Sequence, residues 1–295
     1  MSEQIKFVNA VGEEILLHDP GKIEYLYGRK GAFMPPFSVV MDKTANQDGS
    51  IYRETVAESA EIEIPIQVLG TNGADLWQRM RNLRRILNPK KGLGRLVATA
   101  PDGEECTVTC ICSEIVMDES ENNTVLHESA TSIQKMMLVF TAPYPYWAST
   151  SIFSKTFTRG LQSSFFPFFP LILSSSQVFS EDVVDNQGEV ESYPLWVIQG
   201  PGSDIVLRNK TTGKWLALST VLGKGETITI DTLSKVDPNR PAITKNDGTS
   251  LYPDLIWGSD LWLLEPGMNT ITIEMNNATE ESLVQVSYQH WFMGV

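Results

Sequence analysis

Apolar and polar residues alternate along much of this chain, which is the pattern of strands that bury one face. The clearest example is residues 60–68, where Ile or Val occupies every second position and Glu, Pro or Gln lies between them. Pro65 has no N–H to donate, so we predict that this strand lies at a sheet edge or at a bulge. An unpaired edge accepts a strand from a neighbouring subunit, which makes Ile62, Ile64 and Pro65 candidate contacts between subunits.

One segment has helical spacing instead. Asn72 is a favourable N-cap, and Pro89 prevents the helix from continuing, so we predict a helix over residues 73–88. Its apolar stripe, with intervals of four, three and four residues, consists of Leu76, Met80, Leu83 and Leu87.

The other faces of this predicted helix are basic. They carry four arginines, Arg79, Arg81, Arg84 and Arg85. Two interpretations stand side by side. The arginines form a solvated face whose charges suit the C-terminal end of a helix, or they contact an acidic surface on a neighbouring subunit.

The domain organisation follows from residues 140–149, which contain two prolines and four aromatic residues. Prolines at this spacing exclude a helix and a central strand, so the chain runs extended and leaves the sheet. A second series of short strands, from 195 to 288, has turns between its members, which is typical of an antiparallel sandwich. It includes a predicted strand at 260–264. We therefore predict a domain over residues 1–150, a linker and crossover segment over 151–192, and a sandwich over 193–295.

Charge and hydropathy exclude several classes of protein. The net charge is −13, which argues against tight nucleic-acid binding, although an acidic wall lets DNA slide past without sticking. The longest apolar run, residues 165–173, is about half of the roughly 20 residues that a membrane-spanning helix needs, and two prolines interrupt it. Residues 1–6 do not resemble a signal peptide, so we expect synthesis and folding in the cytoplasm of the host cell.

Candidate chemistry is sparse. The three cysteines, Cys106, Cys110 and Cys112, share parity along one strand-like run, which favours small core residues over a zinc site. The three histidines are scattered, and no nucleophile elbow appears. We expect no catalytic residue, cofactor or metal. Of the tryptophans in the second half, Trp196, Trp215 and Trp262 fit a core, whereas Trp257 and Trp291 are candidates for a carbohydrate-stacking platform.

An ordered series of short motifs covers almost the whole chain. The first half has Leu-Arg-Arg-Ile-Leu at 83–87, Pro-Asp-Gly at 101–103 and Pro-Tyr-Trp at 145–147. The second half has Asn-x-Gly at 186–188, Tyr-Pro at 193–194, Ile-x-Gly at 198–200, Asn-x-Thr-Thr-Gly at 209–213, Gly-Glu at 225–226, Ile-Asp-Thr at 230–232, Leu-Trp at 261–262 and Pro-Gly-x-Asn at 266–269. In this order they resemble the distal tail proteins of long-tailed, non-contractile bacteriophages.

The resemblance implies a mainly β protein, with an N-terminal split β-barrel that has one α-helix and a C-terminal galectin-like antiparallel β-sandwich. It also implies a homohexameric ring at the distal end of the virion tail. Such a ring joins the tail tube protein to the tail-associated or baseplate protein and leaves a central channel through which DNA passes without specific binding. The resemblance brings no catalytic residues. The loop at 28–37 and the insert at 117–134 lie outside the family pattern.

Two other functions compete with this one. The sandwich can instead belong to a carbohydrate-binding adhesion protein, or it can meet a receptor-binding protein or a cell-wall glycan while the first domain forms the ring. A cell-wall hydrolase is the enzymatic alternative, and no sequence motif supports it.

Overall fold

The computed structural model describes residues 4–26, 28–43, 45, 48–100, 103–117, 132–158 and 178–295. The chain divides into two compact units. Unit 1 comprises Met1–Thr150 and Phe292–Val295, and unit 2 comprises Ser151–Trp291. Most of the predicted insert, residues 118–131, and the Pro101-Asp102 turn lie outside the described residues.

Unit 1 is built on one antiparallel sheet with the strand order β2-β1-β7-β8-β9-β6-β3. The elements of unit 1, in chain order, are β1 (Gln4–Val8), β2 (Glu14–Leu16), β3 (Ile23–Tyr25), β4 (Phe37–Asp42), β5 (Ile51–Ala57), β6 (Ala60–Gly70), α1 (Gly73–Ile86), β7 (Gly94–Thr99), β8 (Glu105–Met117), β9 (Ser132–Ala142) and β10 (Trp147–Ser149). Strand β10 also pairs with β8, and a short 3-10 turn spans Pro89–Lys91.

The long strand β8 makes this sheet a split barrel. Residues 105–110 of β8 pair with β7, and residues 111–117 pair with β9, with a register shift between Cys112 and Glu114. An extra residue at such a point bends the strand and increases its twist, so one strand serves both halves of the sheet. Cys106, Cys110 and Cys112 all point into the core, as their shared parity predicts.

Helix α1 covers one opening of the barrel. The Asn72 side chain caps it by accepting a hydrogen bond from the Asp75 N–H at 2.9 Å. Its buried stripe consists of Leu76, Met80, Leu83 and Ile86. The helix ends at Ile86, two residues earlier than predicted, because Leu87 is already its C-cap, although the Leu87 side chain is buried too. The stripe packs in one core with the aromatic rings of Phe140 and Trp147.

The prediction that Pro65 marks an edge or a bulge is wrong. Strand β6 pairs with β9 over its whole length without a register shift, and β3 pairs with its other side. The Pro65 carbonyl accepts a hydrogen bond from the Leu26 N–H at 2.8 Å. Because β3 ends at Tyr25, the missing donor of Pro65 falls at the end of that ladder, where it costs little.

Unit 2 is a sandwich of two antiparallel sheets, with strand orders β11-β19-β13-β16-β17 and β12-β18-β14-β15. Its strands are β11 (Phe153–Thr158), β12 (Val178–Asn186), β13 (Leu195–Gln199), β14 (Gly202–Asn209), β15 (Trp215–Leu222), β16 (Thr227–Asp231), β17 (Ile243–Lys245), β18 (Gly267–Asn276) and β19 (Leu283–Tyr288). Short 3-10 turns span Thr232–Lys235 and Tyr252–Asp254, and β20 (Trp291–Phe292) spans the boundary of the units. The core between the sheets joins Trp196 and Val286 of one to Leu207 and Ile273 of the other. The predicted mainly β fold class is confirmed.

The second half differs from prediction in two respects. The segment expected to be a linker contributes β11 and β12, each at the edge of a sandwich sheet. Edge strands bury few side chains, so the alternation is weak there. Residues 292–295 belong to unit 1, where the Val295 N–H donates to the Ala32 carbonyl at 3.0 Å.

The predicted strand at 260–264 is an irregular segment. Only Leu264 forms a bridge, with Ser192. Trp262 is nevertheless buried, and its indole N–H donates to the Leu207 carbonyl at 3.2 Å. The apolar run therefore reflects burial of side chains and not a ladder of hydrogen bonds.

Leu138 of β9 provides a test of the barrel core. The Leu138 side chain is fully buried, so replacing it by alanine should lower the free energy of unfolding by about 2–5 kcal/mol. Leu16→Ala is the matched control, because Leu16 is 40% exposed and its loss should change stability by less than about 1 kcal/mol. Urea titration read by hydrogen exchange of β6 and β9 measures both variants. Equal stability of the two would contradict this core.

Candidate functional site

The β4–β5 hairpin of unit 1 is a two-stranded sheet of its own. Its register runs from the pair Phe37 and Ala57 to the pair Asp42 and Ile51, with a shift between Val40 and Met41. Most of its residues are exposed. A two-stranded hairpin alone in water is marginally stable at best, so an exposed one gains stability from a surface that covers it.

The two faces of this hairpin differ in polarity. Residues directly opposite each other share a face, and successive residues alternate between faces. One face, which we call the apolar hairpin face, carries Phe37, Val39, Met41, Tyr52, Thr55 and Ala57. The exposed fractions of Val39, Met41 and Tyr52 are 48%, 57% and 61%. The opposite face mixes Val40, Ile51 and Val56 with Ser38, Glu54 and the ion pair between Arg53 and Asp42, at 2.5 Å.

Two of the four helix arginines are engaged inside unit 1. Arg79 forms an ion pair with Asp75 at 3.0 Å and donates to the Gly21 carbonyl at 2.9 Å. Arg85 forms an ion pair with Glu13. These two arginines thus hold α1 to neighbouring segments of their own unit, which is a structural role.

Arg81 and Arg84 are placed differently. Both are exposed, and no Asp or Glu of the described chain forms an ion pair with either. Arg84 only donates weakly to the Met80 carbonyl, at 3.4 Å. These two arginines are therefore the members of the predicted basic set whose charge is available to a partner.

An apolar groove lies beside Arg84, between α1 and the paired strands β8 and β9. We call it the α1 groove, and its open volume is about 230 Å³. Its lining consists of Leu76, Trp77, Met80, Leu83, Arg84, Ile115, Met117, Gln134 and Met136. Trp77 is 56% exposed and Met117 is 46% exposed. Exposed Trp and Met side chains around a cleft are typical of surfaces that bind another protein.

The predicted strand contacts fall elsewhere. Ile62 and Ile64 are each 1% exposed and face the barrel core, so their side chains do not reach a neighbouring subunit. Pro65 is half-buried and lines a separate shallow cavity with Leu26 and Met137. Sequence reasoning did not find the hairpin, although the runs at 37–41 and 51–56 are rich in β-branched and aromatic residues. The bulge after Val40 disturbs their alternation.

The two candidate carbohydrate tryptophans separate clearly. Trp291 is buried and packs edge to face against Tyr193, with ring centroids 5.5 Å apart, so it offers no stacking face. Trp257 is 97% exposed. It lies in a tight turn closed by a hydrogen bond from the Ser259 N–H to the Ile256 carbonyl at 3.0 Å. Gly258, with φ +90°, supplies the left-handed residue that this turn requires.

Ordered hydrogen bonds hold the Trp257 turn against β15. The Ile256 N–H donates to the Ala217 carbonyl and the Asp260 N–H donates to the Trp215 carbonyl, each at 2.9 Å. The indole of Trp257 is therefore presented to solvent on a fixed support. Of the tryptophans expected in the core, Trp196 and Trp262 are buried, and Trp215 is half-buried.

Reactive chemistry has little support in the described part of the chain. No group of three or more His, Cys, Asp or Glu side chains there is arranged to hold a metal ion. Burial raises the pKa of the Cys110 thiol to about 12 and that of Cys112 to about 11, so both stay protonated at neutral pH. No helix in the described ranges combines the length and apolarity needed to cross a bilayer.

One family model of known proteins matches part of this chain, and the match lies mostly in unit 2. Residues 187–292 match the family model described as siphovirus-type tail component, C-terminal domain. Residues 187–292 therefore resemble the C-terminal domain of siphovirus-type tail components. This match confirms the resemblance that the ordered sequence motifs indicate. No protein with a curated description matched the chain.

Solved structures extend the similarity to the fold of the whole chain. The Dit protein of phage SPP1, described as a paradigm of the hub adsorption apparatus in phages that infect Gram-positive bacteria, is 14% identical. The match has a TM-score of 0.69 and covers 99% of this chain and 100% of that chain. The baseplate of phage P2 in its activated conformation with Ca contains a chain that is 11% identical, with a TM-score of 0.47 and coverage of 97% and 98%. At these identities the likeness concerns the fold.

The base of α1 offers a pH test. Hydrogen bonds from Lys91, Asn9 and Arg85 lower the pKa of the Glu13 carboxyl from 4.5 to about 2. A carboxyl whose pKa is lower in the folded state stabilises the fold above its unfolded pKa, and that contribution is lost as the pH falls through the folded value. Glu13→Gln should therefore melt earlier than the wild type at pH 7, and the difference should shrink as the pH falls from about 4.5 towards 2.

Calorimetric melting between pH 7 and pH 2.5 measures this difference. Glu14→Gln is the control, because Glu14 is exposed and pairs only with Lys6, at 3.3 Å. A gap between wild type and Glu13→Gln that stays constant over this range would show that the Glu13 contacts do not contribute in the way described.

Proposed function

We propose that this protein is a structural hub at the distal end of a siphophage tail. Six copies form a ring through unit 1, and the ring joins the tail tube protein to a tail-associated or baseplate protein. The fold that it shares with SPP1 Dit supports this role. The single observation that carries the proposal is the apolar hairpin face, which lies exposed on a two-stranded sheet.

The hairpin favours self-association for a physical reason. An apolar face that lies open on a marginal sheet gains free energy when another surface removes it from water. If that surface is a different patch on an identical copy, the contact is heterologous, and repeated rotation closes a ring. Every copy then donates one hairpin and accepts one, so no hairpin of the ring remains uncovered.

The acidic composition suits a ring around a DNA channel. The chain has 36 acidic and 23 basic residues counted as Asp, Glu, Lys and Arg, for a net charge of −13. Tight binding of DNA depends on cationic neutralisation of phosphates, so an acidic wall lets the double helix pass without specific binding. In this proposal the protein is made in the host cytoplasm, resides at the tail tip of the virion and has no catalytic role.

Two valines of the hairpin provide a matched test of the ring. Val39 lies on the apolar hairpin face and is 48% exposed, whereas Val56 lies on the opposite face and is 47% exposed. Val39→Glu should dissociate the assembly because it buries an unpaired charge at the contact, and Val56→Glu should leave the assembly intact. Light scattering should give six times the 32.9 kDa chain mass for the wild type and for Val56→Glu. Negative-stain images should show annular particles.

If the two glutamate variants assembled equally well, the apolar hairpin face would not form the ring contact. A wild-type protein that stays monomeric at every concentration tested, with no annular particles, would reject the hub itself.

A second candidate function is carbohydrate binding by unit 2, and Trp257 is the observation that favours it. Sugars stack on exposed, rigidly held indole rings, and this ring is 97% exposed on a hydrogen-bonded turn. This function is compatible with a hub, because cell-wall glycan and a receptor-binding protein are alternative partners of the same unit.

Removal of the indole tests this second function. The full-length protein should bind isolated cell wall or an immobilised glycan, and Trp257→Ala should weaken that binding at least about tenfold through loss of stacking. Tyr252→Ala is a control, because Tyr252 is also exposed, at 58%, but lies outside the turn. Wild-type protein that binds no glycan, or an alanine variant that binds equally well, would exclude Trp257 as a platform.

A further inference from the structure

We infer that the α1 groove is the seat for the apolar hairpin face of a second copy of this chain. The inference rests on the proposed ring and names the two surfaces that meet in it. The hairpin supplies the inserted element, and α1 together with β8 and β9 supplies the receiving surface.

The chemistry of the two surfaces is complementary. The groove is lined largely by Leu, Ile, Met and Trp side chains, and it is open to solvent. The hairpin presents Val39, Met41 and Tyr52 as its most exposed apolar side chains. Trp and Tyr are the residues that most often dominate the binding energy of protein interfaces. Trp77 at the groove and Tyr52 on the hairpin are therefore the expected anchors.

Charge adds direction to this match. Arg84 lines the groove, and its charge has no carboxylate partner among the described residues. Glu58 directly follows the hairpin; it is exposed and forms no ion pair within the described chain. A cationic rim and an anionic insert attract each other and disfavour the reversed orientation. Two like-charged surfaces would repel instead.

The occupant is a second copy because the same chain carries both surfaces. Within the described chain, β4 and β5 pair only with each other, and the groove remains open although the hairpin belongs to the same unit. One inserted element and one receiving surface per copy give the equal numbers that a closed ring requires. A different protein as occupant would leave the hairpin face exposed in every copy.

A photo-crosslink identifies the occupant directly. Trp77→p-benzoylphenylalanine places a reactive group at the groove, and mixing ¹⁴N-labelled and ¹⁵N-labelled full-length protein distinguishes contacts between copies from contacts within one. Irradiated rings should yield crosslinks from position 77 to residues 37–57 of another copy. Val221→p-benzoylphenylalanine is the control, because Val221 is 74% exposed in unit 2, and it should give no crosslink to the hairpin.

Charge reversal provides a second, independent measurement. Arg84→Glu should raise the dissociation constant of the ring at least about tenfold, and Glu58→Lys should do the same. Combining the two substitutions should restore most of the lost affinity, which a merely structural role of these residues would not do. Analytical ultracentrifugation over a concentration series measures the three variants.

The outcomes separate this inference from the ring on which it rests. Rings that form normally while position 77 crosslinks elsewhere, or to nothing, overturn the groove as the seat and leave the hub intact. Failure of the double variant, Arg84→Glu with Glu58→Lys, to recover affinity overturns the charge match in the same way. A wild-type protein that never forms rings overturns the hub and the inference together.

Discussion

The apolar stripe of α1 is the constraint on which unit 1 depends. By burying Leu83 and Ile86 against the inside of the split barrel, it closes a core that the strands alone leave open. One flank of the stripe ends at an open cleft between α1 and strands β8 and β9. The same packing that stabilises the barrel thereby creates the α1 groove and fixes Trp77 and Arg84 beside it.

Internal ion pairs divide the surface of α1 into a structural part and an available part. Asp75 and Glu13 neutralise Arg79 and Arg85 at opposite ends of the helix. Arg81 and Arg84 form no ion pair within the described chain, so their charges are available to a partner. Two unpaired cations on one exposed helix face favour an acidic partner, and the net charge of this chain is −13.

Unit 2 has a core of a different kind. Its two sheets bury one face each against the other, so the sandwich has a complete core and holds surface turns rigidly. The turn that carries Trp257 illustrates this, because backbone hydrogen bonds to β15 support an indole that has no protein neighbour to bury it. The exposed surfaces of the two units are thus supported by two separate cores.

The sequence by itself determined every feature that depends on local spacing: the alternation of β6, the cap and apolar stripe of α1, the shared face of the three cysteines, and the ordered motifs that identify the family. Spacing along a chain reports which side of an element is buried, because side chains repeat with the period of the backbone. Only the tertiary structure decided that β3 covers the second edge of β6, that β11 and β12 complete the sandwich, and that Arg81 and Arg84, but not Arg79 and Arg85, remain available. Those outcomes depend on which segments, distant in sequence, lie next to each other in space. The spacing of residues along the chain does not carry that information.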